Sequence, residues 1–216
     1  MKVAIIANGN FLPAKMIQEI SQDSIIIALD GAAQRLIPLG IIPHYVLGDF
    51  DSIDTFFLSE HSSITAVYRP DQSYTDLHKA LHFAKEHHAT EIHILCALSE
   101  TRLDHSFLNT RLLRVEASPD CTIQLHSHGQ TLTYATNTTV TMRGEVGDAC
   151  GILAFPEGAF HAQGLVWNGP YTLQFGHQES ACNRMAATEA RIVISGEALI
   201  IHPPWFLSQR LALVTK

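Results

Sequence analysis

The sequence predicts an α/β protein. An N-terminal doubly wound, mostly parallel sheet domain spans residues 1–118, and a C-terminal antiparallel β-sandwich domain spans residues 119–216. Three observations carry this. Short apolar, β-branched runs recur through the first half, as in parallel strands buried on both faces. Stretches with helical spacing lie between them. After Ala117-Ser118-Pro119-Asp120 the period falls to two and turn residues come at regular intervals.

The strands expected are Val3–Ala7, Ile25–Leu29, Tyr45–Leu47, Ile64–Tyr68 and Ile92–Ala97. From Thr75 to His88, Leu77, Ala80, Leu81 and Ala84 recur at helical spacing, with Thr75 or Ser73 as the cap. Phe107, Leu108, Leu112 and Val115 repeat the pattern from Asp104. Strands alternating with helices predict an open sheet with both faces covered. In the second half, Thr122–His126, Thr131–Tyr134 and Thr138–Met142 alternate. Turn signals follow at Arg143-Gly144, Gly147-Asp148, Pro156-Glu157-Gly158, Asn168-Gly169-Pro170 and Ser195-Gly196.

Hydrophobic residues make up 46% and charged residues 16%, which supports a sizeable core and excludes a disordered chain. The net charge of -7 and the lack of a basic stripe argue against a nucleic-acid partner. Cys96, Cys121, Cys150 and Cys182 are far apart and form no C-x-x-C, so they read as reduced thiols. His78 and His82 are four apart on a predicted helix, and His126 and His128 share a strand face. Neither pair has further ligands at a known zinc spacing, so they read as surface histidines. The apolar start, Met1–Ala7, is too short for a signal peptide and is interrupted by Asn8-Gly9-Asn10. No stretch approaches the roughly 18 apolar residues of a membrane span. The expectation is a cytoplasmic protein with no membrane partner.

The chemistry concentrates in Gly48-Asp49-Phe50-Asp51-Ser52, two carboxylates directly after an apolar run. Unpaired in an apolar interior they would cost several kcal/mol each, so they call for water or a cation. Ligands of open α/β sheets bind beyond the carboxyl ends of the strands. Asp30-Gly31, Asp49, Asp51, Asp71-Gln72 and Asp104 each follow a predicted strand, and Asp76 lies in the first turn of a helix. Aspartates also cap helices and fill turns, but one after each of four consecutive strands favours a site. Carboxylates alone repel phosphate; Mg²⁺ bound to one or two of them reverses the sign. Asp49, Asp51 and Asp76 are the predicted magnesium ligands. Lys79 and Arg102 suit either phosphate oxygens or a solvated surface, and Asn8-Gly9 could present backbone N–H groups to phosphate.

Asp30-Gly31-Ala32, Gly48–Ser52, Pro70-Asp71-Gln72, Thr75-Asp76-Leu77 with Lys79-Ala80-Leu81, and Arg102-Leu103-Asp104-His105 occur in that order. The series resembles the thiamine pyrophosphokinase family. Gly164-Leu165-x-Trp167, Leu173-x-Phe175-Gly176 and Ser180-Ala181-Cys182-Asn183 extend the resemblance over most of the chain. It implies transfer of the pyrophosphoryl group of ATP to the hydroxyl of thiamine, giving thiamine diphosphate and AMP. It also implies a homodimer in which thiamine lies between the α/β domain of one subunit and the β domain of the other. Gln72 matches a family position near thiamine, as does Asp71 beside it. Ser180, Cys182 and Asn183 match the family's second thiamine-facing segment, with Cys182 where a serine is usual. Asp49, Asp51, Asp76 and Asp104 become the catalytic carboxylates, and Asn8, Gly9, Asp30, Gly31, Lys79 and Arg102 the nucleotide-binding set. One carboxylate, not identifiable from sequence, accepts the hydroxyl proton.

Three other readings fit less of the sequence. A nucleotide-sugar transferase would share the Asp-x-Asp pair but not Thr75-Asp76 or Arg102–His105. A haloacid-dehalogenase-like phosphatase would carry Asp-x-Asp after its first strand, where this chain has Asn8-Gly9-Asn10. A non-catalytic thiamine or nucleotide binder would not need the metal-binding carboxylates. Within the pyrophosphokinase class, another small alcohol is the alternative acceptor.

Overall fold

The computed structural model describes residues 1–54, 56–204 and 212–214. The chain divides into two compact units, Met1–Leu125 and His126–Lys216.

In the first unit, strands and helices alternate. In chain order they are β1 (Lys2–Ile6), α1 (Ala14–Ser21), β2 (Ile25–Leu29), α2 (Ala32–Leu36), β3 (Tyr45–Gly48), α3 (Phe57–Glu60) and β4 (Thr65–Tyr68). Then follow α4 (Asp76–Glu86), β5 (Glu91–Leu95), α5 (Leu103–Val115) and β6 (Thr122–His126). All the strand pairs are parallel, in the order β6-β5-β1-β2-β3-β4. Val3, Ala4, Ile5 and Ile6 of central β1 are wholly buried, as a strand covered on both faces requires. At the edge, β4 is mostly exposed, so only its central neighbours keep the burial expected of all five runs. Thr75, not Ser73, caps α4 by accepting from His78 N at 3.3 Å.

The sequence pattern misplaced β6. Its alternation suggested the antiparallel half, yet it pairs in parallel with β5, Glu91 opposite Thr122 and Ile94 opposite Leu125. The break between units therefore falls after Leu125 rather than near residue 118. Between β1 and β5 the strand order reverses direction, the switch point at which doubly wound sheets hold ligands.

The second unit is antiparallel. It contains β7 (Thr131–Thr136), β8 (Thr139–Arg143), β9 (Ala149–Gln163), β10 (Tyr171–Gln174), β11 (Ser180–Arg184), β12 (Glu189–His202) and β13 (Ala212–Val214). Two long strands, β9 and β12, change partners along their length. The later part of β9 pairs with β10 and with the early part of β12, which pairs with β8. The early part of β9 pairs with β11 and with the later part of β12, which pairs with β7. Two turn signals are thereby reinterpreted. Pro156-Glu157-Gly158 and Ser195-Gly196 lie inside β9 and β12, with Gly158 opposite Gly196 beside a register shift. Gly196 has φ +79°, and a Cβ on Gly158 would lie 2.7 Å from Glu197 O. Both strands bend where neither carries a side chain. Apolar residues of these strands, among them Ile152, Phe160, Ile192 and Ile200, form the enclosed core.

Gly158→Ala should destabilise the protein by roughly 1–3 kcal/mol, because the new methyl meets backbone that cannot give way. Gly129→Ala, where a Cβ meets nothing within 4 Å, is the control and should be near neutral in urea unfolding. Equal midpoints for the two variants would contradict this account of the bend.

Candidate active site

A cleft of about 720 Å³ opens in the first unit at the carboxyl ends of its strands. Asn8 and Gly9 after β1, Asp30 after β2, and Asp49, Asp51 and Ser52 after β3 line it, with Gln72, Asp76, Lys79, Arg102 and His105. The sheet thus brings together most of the predicted residues.

Asp30 is its electrostatic centre. Only 6% of the residue is exposed, and its backbone is left-handed at φ +47°, which Asp tolerates better than most residues. Oδ2 accepts from Ser52 Oγ and, at 3.2 Å, from Ser52 N. Ser52 Oγ in turn accepts from Gly31 N at 3.3 Å. Oδ1 is buried without a hydrogen-bond partner. Burial raises the Asp30 pKa; the Ser52 hydrogen bonds oppose this and neighbouring Asp51 adds to it.

One oxygen each from Asp30, Asp49 and Asp51 forms a group within 4.8 Å. Asp49 Oδ1 accepts from Asp51 N at 3.3 Å and Oδ2 from Gln72 Nε2 at 2.8 Å. The Gln72 bond is the main reason its pKa is lowered. Three hard oxygen donors and an unpartnered buried lone pair suit a small divalent cation such as Mg²⁺. Asp76 is not in this group, contrary to the sequence expectation. Its Oδ1 accepts from Lys79 Nζ at 3.0 Å, and the buried ammonium also donates to Arg69 O at 2.9 Å.

Other predicted residues take different places. Asp104 does not line the cleft; it grips Arg102 by two bonds, Nε to Oδ1 at 3.0 Å and Nη2 to Oδ2 at 2.8 Å. That pairing holds the exposed Asp104 carboxyl well below the usual carboxylate range. Asp71 also lies off the cleft lining, in a turn where Oδ1 accepts from Ser73 N at 2.8 Å. The expected Gly9 N–H donor is taken, because it bonds Cys96 O at 2.8 Å. A Cβ there would lie 2.6 Å from both Cys96 O and Leu98 O, so this glycine serves close backbone packing.

In the second unit a smaller hollow of about 320 Å³ is lined by Trp167, Tyr171, Leu173, Gln178, Glu179, Ser180 and Ala181. Asn183 is fully buried, and its amide is engaged within the fold. It accepts from Trp167 N at 3.2 Å and donates to Trp167 O at 2.9 Å and Ser180 Oγ at 3.0 Å. Cys182 is exposed at φ +61°, in the irregular stretch of β11 between Ser180 and Asn183.

The sequence reading gave no role to Ser52 or Arg35. Ser52 had a signal, since it closes the Asp49–Ser52 run. Arg35 had none: from α2 its Nη1 donates to Asn8 Oδ1 at 3.0 Å and Gly9 O at 3.1 Å, with its guanidinium 3.9 Å over Phe11.

Residues 16–125, just over half of the chain, match the family described as thiamin pyrophosphokinase, catalytic domain. No curated protein matches the chain in sequence. Among solved structures, thiamine pyrophosphokinase from Bacillus subtilis superposes with TM-score 0.84 at 20% identity, over 94% of this chain and 99% of that one. Thiamin pyrophosphokinase from Geobacillus thermodenitrificans gives 0.82 at 22%, over 94% and 97%. The Candida albicans enzyme gives 0.82 at 17%, over 94% and 90%. At these identities the likeness establishes the fold.

Because the raised pKa of Asp30 means that folding favours its protonated form, its contribution to stability is present at low pH and lost as pH rises through that pKa. In magnesium-free buffer, Asp30→Asn should raise the unfolding midpoint at pH 8 relative to wild type. The difference should shrink or reverse at pH 4. A constant difference between the two pH values would refute the burial argument.

Proposed function

The chain belongs to the thiamin pyrophosphokinase family, a family of transferases, and on that premise we propose that it moves the pyrophosphoryl group of ATP to the hydroxyl of thiamine with Mg²⁺. The observation that carries this is the grouped carboxylates of Asp30, Asp49 and Asp51 beside Lys79 and Arg102 in one cleft. Asp49 and Asp51 would hold Mg²⁺, with Asp30 beside them. The ion when bound neutralises phosphate oxygens that these acids would otherwise repel.

The protein's own groups do the rest. Lys79, set by Asp76 and Arg69, and Arg102, set by Asp104, meet phosphate oxygens as charge builds on them. The thiamine hydroxyl oxygen bonds the β-phosphorus in line, its proton passes to a carboxylate of the cleft, and the bridging bond to the α-phosphate breaks to release AMP. Asp76 and Asp104 act by positioning these cations. Thiamine carries a permanent positive charge, which an acidic pocket favours.

A cytoplasmic homodimer with small-molecule partners, neither nucleic acid nor membrane, completes the proposal. No helix among the described residues is long and apolar enough to cross a membrane. Light scattering should give twice the 23.8 kDa chain mass; a monomer at working concentration would reject the dimer.

Asp49→Asn and Asp51→Asn should each lower AMP formation from ATP and thiamine by roughly 10²–10³, with the loss unrelieved by excess magnesium and the unfolding midpoint unchanged or raised. Near-normal turnover in both folded variants would remove the acidic group from the mechanism. Wild-type protein that releases no AMP with thiamine would leave binding without catalysis as the function.

A further inference from the structure

Away from the cleft acids, two histidines and a buried glutamate converge. His78 and His82 are one turn apart on α4, and Glu116 caps the carboxyl end of α5. Glu116 Oε1 lies 2.8 Å from His78 Nε2 and 3.1 Å from His82 Nε2. The glutamate side chain is only 8% exposed, His78 16% and His82 45%. Lys85 Nζ lies 2.6 Å from the other carboxylate oxygen, Oε2, and 2.6 Å from Glu116 O. Two imidazoles thus crowd one oxygen, and Lys85 pins its partner.

We propose that His78, His82 and Glu116 form a zinc-class metal site, distinct from the Asp30–Asp49–Asp51 group. The three donor atoms already lie within 4.8 Å of one another. Ligands at about 2.0–2.2 Å from a tetrahedral zinc stand roughly 3.3 Å apart, so the two oxygen–nitrogen spacings need to open by only a few tenths of an ångström. The donors are two imidazole nitrogens and one carboxylate, a set that selects zinc and its transition-metal neighbours over Mg²⁺. Lys85 stays on Oε2 and fixes the orientation of the ligating oxygen. His82 is the most exposed of the three, so an ion would reach the site from its side. His78 and His82 alone showed no third ligand at a known spacing. Glu116 supplies it from 34 residues beyond His82, across two helices.

The bound ion would tie the first turns of α4 to the end of α5. Tyr74, which lines the cleft, meets both imidazoles edge-on, with ring centroids 4.8 Å and 5.8 Å away.

The test uses full-length protein in excess Mg²⁺, which occupies the oxygen-donor group, titrated with Zn²⁺ and separately with Co²⁺. Wild type should bind one equivalent of Zn²⁺, and Co²⁺ should give the visible absorption of a four-coordinate nitrogen–oxygen site. At zinc 100-fold above its Kd the unfolding midpoint should rise by roughly 5 °C. His82→Ala, which removes a half-exposed ring, should weaken zinc binding at least tenfold and abolish that rise. Glu116→Gln should do the same, whereas Asp51→Asn should leave zinc binding intact. Wild type that takes up no zinc would overturn the proposal. So would His82→Ala and Glu116→Gln variants that bind it as tightly as wild type, or a Co²⁺ spectrum of purely six-coordinate oxygen ligation.

Discussion

The carboxylate of Asp30 sits where only a few per cent of its residue meets solvent, and the surrounding turns are shaped to receive it. Its left-handed backbone turns the chain out of β2. Ser52 donates twice to one oxygen. Gly48 is needed for the same reason, since a Cβ there would lie 3.2 Å from the Asp30 Cβ. Gly31 likewise has no room, because its Cβ would stand 2.9 Å from Ser52 O. The run Gly48–Ser52 therefore has three tasks. Gly48 makes space for Asp30, Ser52 bonds it, and Asp49 and Asp51 bring their charge beside it. Desolvating one carboxylate next to two others is costly, and a cation is the simplest group that repays the cost at neutral pH.

The cations of the cleft follow the same logic in reverse. Lys79 and Arg102 are each paired with an acid, Asp76 and Asp104, Lys79 in a buried position and Arg102 in an exposed one. A long side chain held in place loses less entropy when it meets an anion. Acids two or three residues away in sequence thus serve as tethers, and among the acids of the cleft in the described residues it is those at the ends of β2 and β3 that group closely enough to share an ion.

The parallel sheet was legible because burial on both faces leaves a continuous apolar run, and Ile25–Leu29 matches β2 residue for residue. The grouping of Asp30, Asp49 and Asp51 was legible in outline, since strand ends of one sheet must converge. What sequence could not supply was partner choice. Asp76 and Asp30 look alike in the chain, yet Lys79 claims the first and Ser52 the second. Nor can alternation distinguish a parallel strand from an antiparallel one, which is why β6 was misassigned. At Gly158 and Gly196 the residues that usually make a turn bend a paired strand instead, because each glycine faces the other across the ladder. Asn183 resembles a ligand-facing amide in sequence, but its bonds to Trp167 and Ser180 show it holding the strand edge together.

Helix α4 joins these arguments. At about 100° per residue, Asp76 and Lys79 fall within roughly 60° of each other, and His78 and His82 within roughly 40°. The two pairs point to different sides of one rod. One side carries the oxygen and ammonium chemistry of the cleft, and the other carries imidazoles toward Glu116. The oxygen-donor group of Asp30, Asp49 and Asp51 lies on other elements, so the imidazoles of α4 share no ligand with it. Both sides depend on how the first turn of the helix begins. Thr75 fixes that start through its bond to the His78 N–H, and Tyr74 just before it touches the imidazoles from the cleft wall. Whatever tightens the histidine side therefore acts on the same few residues that place Asp76 and Lys79.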